Sequence, residues 1–328
     1  MRNIKLNLLK GFACLSVVLI HIKFPGITGQ IIAKISDYAV PVFFMIAGYY
    51  AFGKTDVVIK RRLLKICKIF IFAYLFKLTY SLAVTVYKNT GVAEWFSENF
   101  SLYSPIKYII FCDTGFAVTL WYLIVMIEIY LLWLFIVKKG KENIAVKILP
   151  ILFLLQIVLN ICGQTLEKEW IYKVFITRGL PWFLLGYYVK SPDAEKLRSL
   201  KPYICALMAV GGGVLTIMPV VFDIPVKFSA IGYIPLALGL FLLTLINPEK
   251  SVCKPLEYIG DKLSLFIYIL HMNVDGVLYL MIALVGIDSE NSLFLWTRPF
   301  IVITLSIIAS LLLSIIIRFC KRNNKKEV

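Results

Sequence analysis

The chain of 328 residues holds two histidines, His21 and His271, each set among apolar residues with polar companions at helical spacing. Lys10 stands eleven residues before His21. At about 100° per residue that separation is about 20° past three full turns, so a helix would show both on one face, about 16 Å apart along its axis. An imidazole titrates near working pH and suits a general base, here at one end of a polar stripe with a cation at the other. A plainer account stays open: Lys10 snorkels to lipid head groups and His21 is an interfacial residue. His271 is followed four residues later by Asp275, which stacks the two on one helix face. Tyr268 and Ser264 precede it, and Ser264, seven residues earlier, returns to nearly the same face. A carboxylate beside an imidazole fixes its tautomer, or the two are a buried pair that satisfies itself.

Three further charges sit in apolar runs, where a charge near the bilayer centre costs at least ~3 kcal/mol. Glu128 lies in Trp121-Tyr122-Leu123-Ile124-Val125-Met126-Ile127-Glu128, and Lys77 and Arg178 are the cations that could pair with it. Either it forms such an ion pair or it lines a pore that handles substrate. The stretch Ile59-Lys60-Arg61-Arg62-Leu63-Leu64-Lys65 is basic and lies between apolar runs. It reads as charge retained on the cytoplasmic side, or as a phosphate clamp for which the planar guanidinium is well shaped.

The elements that must position these residues are membrane helices. The composition is 60% hydrophobic and 16% charged, against roughly 25% charged in a soluble domain. Mean hydropathy is +0.85, and several runs exceed the ~18 residues needed to cross ~30 Å of hydrocarbon. The expected fold is an all-α, polytopic transmembrane bundle of about ten spans, in one domain over 1–328. The spans are drawn at 6–23, 37–53, 69–87, 118–137, 146–163, 174–189, 202–222, 229–246, 263–285 and 298–318. Pro181 and Gly186 make the sixth the weakest. Arg2 and Lys5 precede the first run, but Lys10 interrupts it and no small-residue cleavage site follows, so it reads as a retained helix.

The net charge of +16 follows from loop charge rather than from a nucleic-acid partner. Lys60, Arg61, Arg62 and Lys65, then Lys138, Lys139 and Lys141, then Lys196, Arg198 and Lys201, then Lys250 and Lys254 fall on one side with Arg2, Arg318, Lys325 and Lys326. The other side has little beyond Lys23, Lys34, Lys88, Lys107, Lys168, Lys173 and Lys227. Both termini are therefore expected in the cytoplasm of a multi-pass plasma-membrane protein. The seven cysteines are scattered singly, without metal-ligand spacing; Cys112 and Cys162 fall on the outer side and are the one pair that could oxidise. No metal and no bound cofactor are expected.

At these residues the chain resembles the membrane acyltransferases called acyltransferase family 3. Lys10 and His21 look like the family's opening Arg-x10-His signature, with Lys in place of Arg. Val40-Pro41-Val42-Phe43-Phe44-Met45-Ile46-Ala47-Gly48-Tyr49-Tyr50 resembles its second-span motif, and Arg61, Arg62 and Lys65 its basic motif before the third span. Leu120-Trp121-Tyr122-Leu123 is similar to its fourth-span start, and Ser264 through His271 to its late S-x-x-x-Y-x-x-H motif. The blocks Phe43 to Tyr50 and Arg178 to Tyr187 also resemble the membrane half of vancomycin-resistance-type serine racemases. The chain ends at Val328 without a racemase domain, so racemisation is not expected.

The resemblance implies transfer of an acyl group, typically acetyl, from cytoplasmic acyl-CoA to a hydroxyl of a glycan or other acceptor at or beyond the membrane. It implies that His21 is catalytic, that Lys10, Arg61, Arg62 and Lys65 hold the donor and its phosphates, and that Ser264, Tyr268 and His271 line the same cavity. Glu128 and Asp275, by their place in apolar runs rather than by the resemblance, are further candidates for lining the pore or the acceptor. The partners are then the bilayer, acyl-CoA and the acceptor. Two other classes stay open: a transporter of a small, serine-like amino acid using the same polar cavity, and a silent scaffold in a polysaccharide-export complex.

Overall fold

The computed structural model describes residues 3–224 and 229–323. Arg2, Lys227, Lys325 and Lys326, which enter the charge count above, lie outside the described residues. Within them the chain is helical and contains no strand. Seven segments are long and apolar enough to cross a membrane: Ile4–His21, Gly26–Ala51, Asp56–Lys88, Ser104–Lys138, Pro202–Val221, Lys254–Val285 and Ser292–Cys320. The other three expected spans fall on shorter helices, Leu149–Thr165, Leu180–Lys190 and Ser229–Leu243. At 1.5 Å per residue these reach about 16–26 Å, less than a ~30 Å hydrocarbon core. The shortest is cut at Gly179 and Pro181, where Phe175–Arg178 forms a separate turn.

The chain divides into two compact units, one of residues 1–43 with 200–328 and one of residues 44–199. In the first unit, helix α1 (Ile4–His21) starts on Asn3, whose side chain accepts a hydrogen bond from Leu6 N at 2.8 Å. Asn3 also donates to Thr244 O at 3.2 Å, and the Lys5 ammonium donates to Ile246 O. These bonds tie the start of α1 to the carbonyl end of Ser229–Leu243, where a cation is favoured. After α1 come α2 (Gly26–Ser36) and α3 (Ala39–Ala51).

Late in the same unit, a short helix, Lys254–Tyr258, runs into a π-turn over Ile259–Leu263 and then into Ser264–Val285. Gly11 and Gly260 sit where α1 crosses this turn. A Cβ on Gly11 would strike Leu256 O, and one on Gly260 would strike Asn7 O, so two backbones meet where only hydrogen fits. Cys14 and Val18 of α1 and Ile22 just after it share a buried core with Leu263, Ile267, Leu278, Phe294 and Val302.

In the second unit, α4 (Asp56–Lys88) is a single helix of 33 residues ended by Asn89 at φ 53°. The expected span began at 69; the helix instead starts at Asp56, so Arg61, Arg62 and Lys65 ride on its first turns rather than on a loop. Two short helices, α5 (Val92–Asn99) and α6 (Ser104–Ile110), come next, then α7 (Trp121–Lys138), which packs on α4. A Cβ on Gly48 of α3 would strike Phe183 O, and one on Gly186 would strike Met45 O, so α3 and Leu180–Lys190 also cross at glycines. Trp133, Phe183 and Tyr187 fill the space beside that crossing, with ring centroids 5.3 and 4.6 Å from Trp133.

Candidate active site

Lys10 and His21 both lie on α1, which is continuous through both, so their spacing of eleven residues puts them on one face as expected. His21 is the last residue of the helix and half-buried. Its ring lies 5.4 Å from that of His271, tilted by 36°. The only two imidazoles of the chain, 250 residues apart, therefore meet.

The first helix is coupled to the His271 helix at a second level. Cys14, one turn from Lys10 and 2% exposed, donates its thiol to Ser264 O at 3.5 Å. Ser264 in turn donates its hydroxyl to Gly260 O at 3.0 Å, inside the π-turn. Such turns recur at functional sites, where the extra residue turns the downstream side chains away from their regular helical positions. Here the turn precedes the helix that carries Ser264, Tyr268 and His271. Tyr268 is half-buried.

His271 is fully buried, and its Nδ1 lies 3.0 Å from Ile267 O. A carbonyl only accepts, so Nδ1 carries a proton and donates it; in the neutral ring Nε2 then keeps its lone pair. Asp275, one turn after His271, has a partner that spacing did not indicate. The Asp275 carboxylate is taken by Arg298, which donates from Nε and from Nη2 at 2.7 Å each. The fork geometry of a guanidinium matches a carboxylate in this two-bond manner, whereas an imidazole offers one donor per nitrogen. Arg298 also lies over the Tyr279 ring at 4.6 Å. Sequence spacing gave no sign of Arg298, which is 23 residues away on the next helix.

In the second unit the carboxylate of Glu128 accepts a hydrogen bond from the Cys112 thiol at 3.5 Å. Arg178 lies over the Trp121 ring at 3.5 Å. Lys77 is buried on α4. Arg61 and Lys65 are exposed, while Arg62 is half-buried and faces the Tyr130 hydroxyl. The blocks that carry the family resemblance converge here as well. Phe44 packs on Tyr122 at 4.7 Å and lies 6.5 Å from Trp121, and Gly186 packs against Met45. Cys112 is buried and Cys162 exposed, and neither forms a disulfide.

The acyltransferase family 3 model, described as an acyltransferase domain, matches residues 3–319. The chain belongs to this family. No curated protein matches it, and no solved structure does. An acyltransferase family together with seven long apolar helices makes this a membrane acyltransferase in general terms. Of the residues expected to carry the chemistry in the first unit, the fold brings His21 against His271, and Cys14, beside Lys10 on α1, against Ser264. Phe44 to Tyr50 of the second-span block, the fourth-span block and Arg178–Tyr187 form a cluster within the second unit.

Proposed function

We propose that the protein transfers an acyl group, acetyl in the first instance, from cytoplasmic acyl-CoA to a hydroxyl of a glycan or other acceptor at or beyond the plasma membrane, with His21 as the general base. The observation that supports this is the meeting of His21 with His271 at 5.4 Å in a chain of an acyltransferase family. His21 takes the proton of the acceptor hydroxyl, the oxygen attacks the thioester carbonyl, and the carbon–sulfur bond breaks. The imidazolium then returns its proton to the departing CoA thiolate. His271, held by Ile267 O with Nε2 as the remaining acceptor, is suited to orient or buffer the ring beside it.

Lys10 supplies a positive charge on the same face as His21, about 16 Å away along α1, within reach of an extended donor arm. Arg61, Arg62 and Lys65 are the groups suited to the phosphates of the donor. Ser264 and Tyr268 line the acceptor. Asp275 serves that lining through Arg298, since its carboxylate is already engaged there.

The test is acetyl-CoA turnover by the purified chain in lipid, read as released thiol. His21→Ala is expected to slow it by roughly 10²–10⁴-fold, the usual contribution of a general base. Equal turnover by both proteins overturns the assignment. Serine uptake into proteoliposomes without consumption of acetyl-CoA replaces it with transport.

A further inference from the structure

Between α4, the α5–α6 segment and α7 lies a cavity of about 580 Å³, inside the roughly 300–1,000 Å³ range of small-ligand sites. Its walls are rings and aliphatic chains, among them Phe70, Phe100, Ile124 and Leu131. Two of these wall positions tell where it opens. Ile109 is 66% and Leu131 53% exposed, and both belong to the Ser104–Lys138 segment, which is long and apolar enough to span the bilayer. Leu131 lies on α7, within the apolar membrane-length stretch, and an exposed apolar edge there suits hydrocarbon better than water.

The polar groups on the wall are already engaged with one another, save one. Ser104 donates to Asn99 O at 3.1 Å, and its hydroxyl lies 3.2 Å from that of Ser101. The Tyr108 hydroxyl lies 3.4 Å from that of Tyr74. Glu128 is the exception. Among the described residues its one hydrogen-bond partner is the thiol of Cys112, a weak donor, although a carboxyl group has room for several bonds. A carboxyl group kept in an apolar chamber is costly unless something donates to it.

We propose that this cavity binds a single-chain membrane lipid whose small head, an alcohol or an amine, donates a hydrogen bond to Glu128 while its hydrocarbon chain fills the space between α4, α6 and α7. The lateral mouth admits such a molecule from the bilayer, the walls exclude a bulky charged head, and the lone carboxylate selects a donor over an ether or an ester. The site lies wholly within the second unit and does not depend on the His21 reading, because binding is measured directly.

The full chain in lipid nanodiscs is irradiated with hexadecanol carrying a diazirine in its chain, and the cross-linked peptides are mapped by mass spectrometry. Labelling is expected to saturate and to fall on the peptides holding Tyr108–Ile109 and Ile124–Leu131. Unlabelled hexadecanol or hexadecylamine should displace the probe about tenfold better than hexadecyl methyl ether, the value of one hydrogen bond to a charged group. Glu128→Leu should abolish that preference, and Glu128→Gln, which keeps an acceptor oxygen, should preserve part of it. Ile127→Trp fills the cavity from its wall and should block labelling without touching Glu128. Labelling that does not saturate, that ignores the head group, or that persists in both Glu128→Leu and Ile127→Trp overturns the site.

Discussion

At the scale of single residues, the pair Asp275–Arg298 holds the helix that carries His271 against the one after it. Its side chains are 9% and 17% exposed, so solvent screens it little. Removing one partner from such a pair leaves an uncompensated charge and costs about 3–5 kcal/mol, far more than a surface ion pair. Asp275→Ala should therefore lower the thermal midpoint of the detergent-solubilised protein sharply. Asp275→Ala combined with Arg298→Met should recover much of the loss, because no charge is then stranded. If the double variant is as unstable as the single one, the pair acts through packing. Lys10 makes a second prediction at this scale. If it contributes only its charge, Lys10→Arg keeps acetyl-CoA turnover and Lys10→Met loses it; equal turnover by the two variants removes the cation from the mechanism.

At the scale of elements, the site depends on how closely α1 approaches the π-turn that introduces the His271 helix. Gly11 and Gly260 set that approach, since the atoms opposite them are backbone and cannot swing aside. Gly260→Val should cost about 1–3 kcal/mol by forcing the helices apart. It should also reduce turnover more than it reduces stability, because the displacement is transmitted to Ser264, His271 and the Cys14 contact. The comparison is between the thermal midpoint and turnover measured well below it; a proportional loss of both would mean that the crossing matters only for folding. Gly48 and Gly186 play the same geometric part between α3 and Leu180–Lys190, where neighbours Phe183 and Tyr187 pack on Trp133.

At the scale of the whole molecule, two units of unlike make-up share one chain. The first is discontinuous, built from the beginning and end of the sequence, and contains both histidines. The second is continuous and contains the basic turns of α4, the Trp121–Arg178 stack and Glu128. Charge asymmetry between loops gives the molecule its expected orientation. Once the seven native cysteines are replaced, a cysteine placed at Glu98 should react with an impermeant maleimide on intact cells. One placed at Lys141, on the far side of α7, should react only after lysis. The reverse pattern would invert the topology, and labelling of both on intact cells would deny that α7 crosses.

Apolar runs, loop charge and helical spacing are local properties, so membrane helices and the shared face of Lys10 and His21 could be read directly from residue order. The family motifs could be read for the same reason, since each occupies a few consecutive positions. The short helices were harder to recognise, because hydropathy counts residues while Pro181, Gly179 and the packing around them decide where a helix stops. Partners across the fold were beyond reach of spacing altogether. Asp275 stands one helical turn after His271, yet the group that grips its carboxylate with two bonds is a guanidinium 23 residues further on. The meeting of His21 with His271 is likewise a product of helix crossing, made when two glycines let backbones touch. Composition and periodicity determined that this chain enters a membrane and which faces of its helices are polar. Only the packing of those helices decided which polar face meets which, because contact energy depends on distances between segments that residue order leaves free.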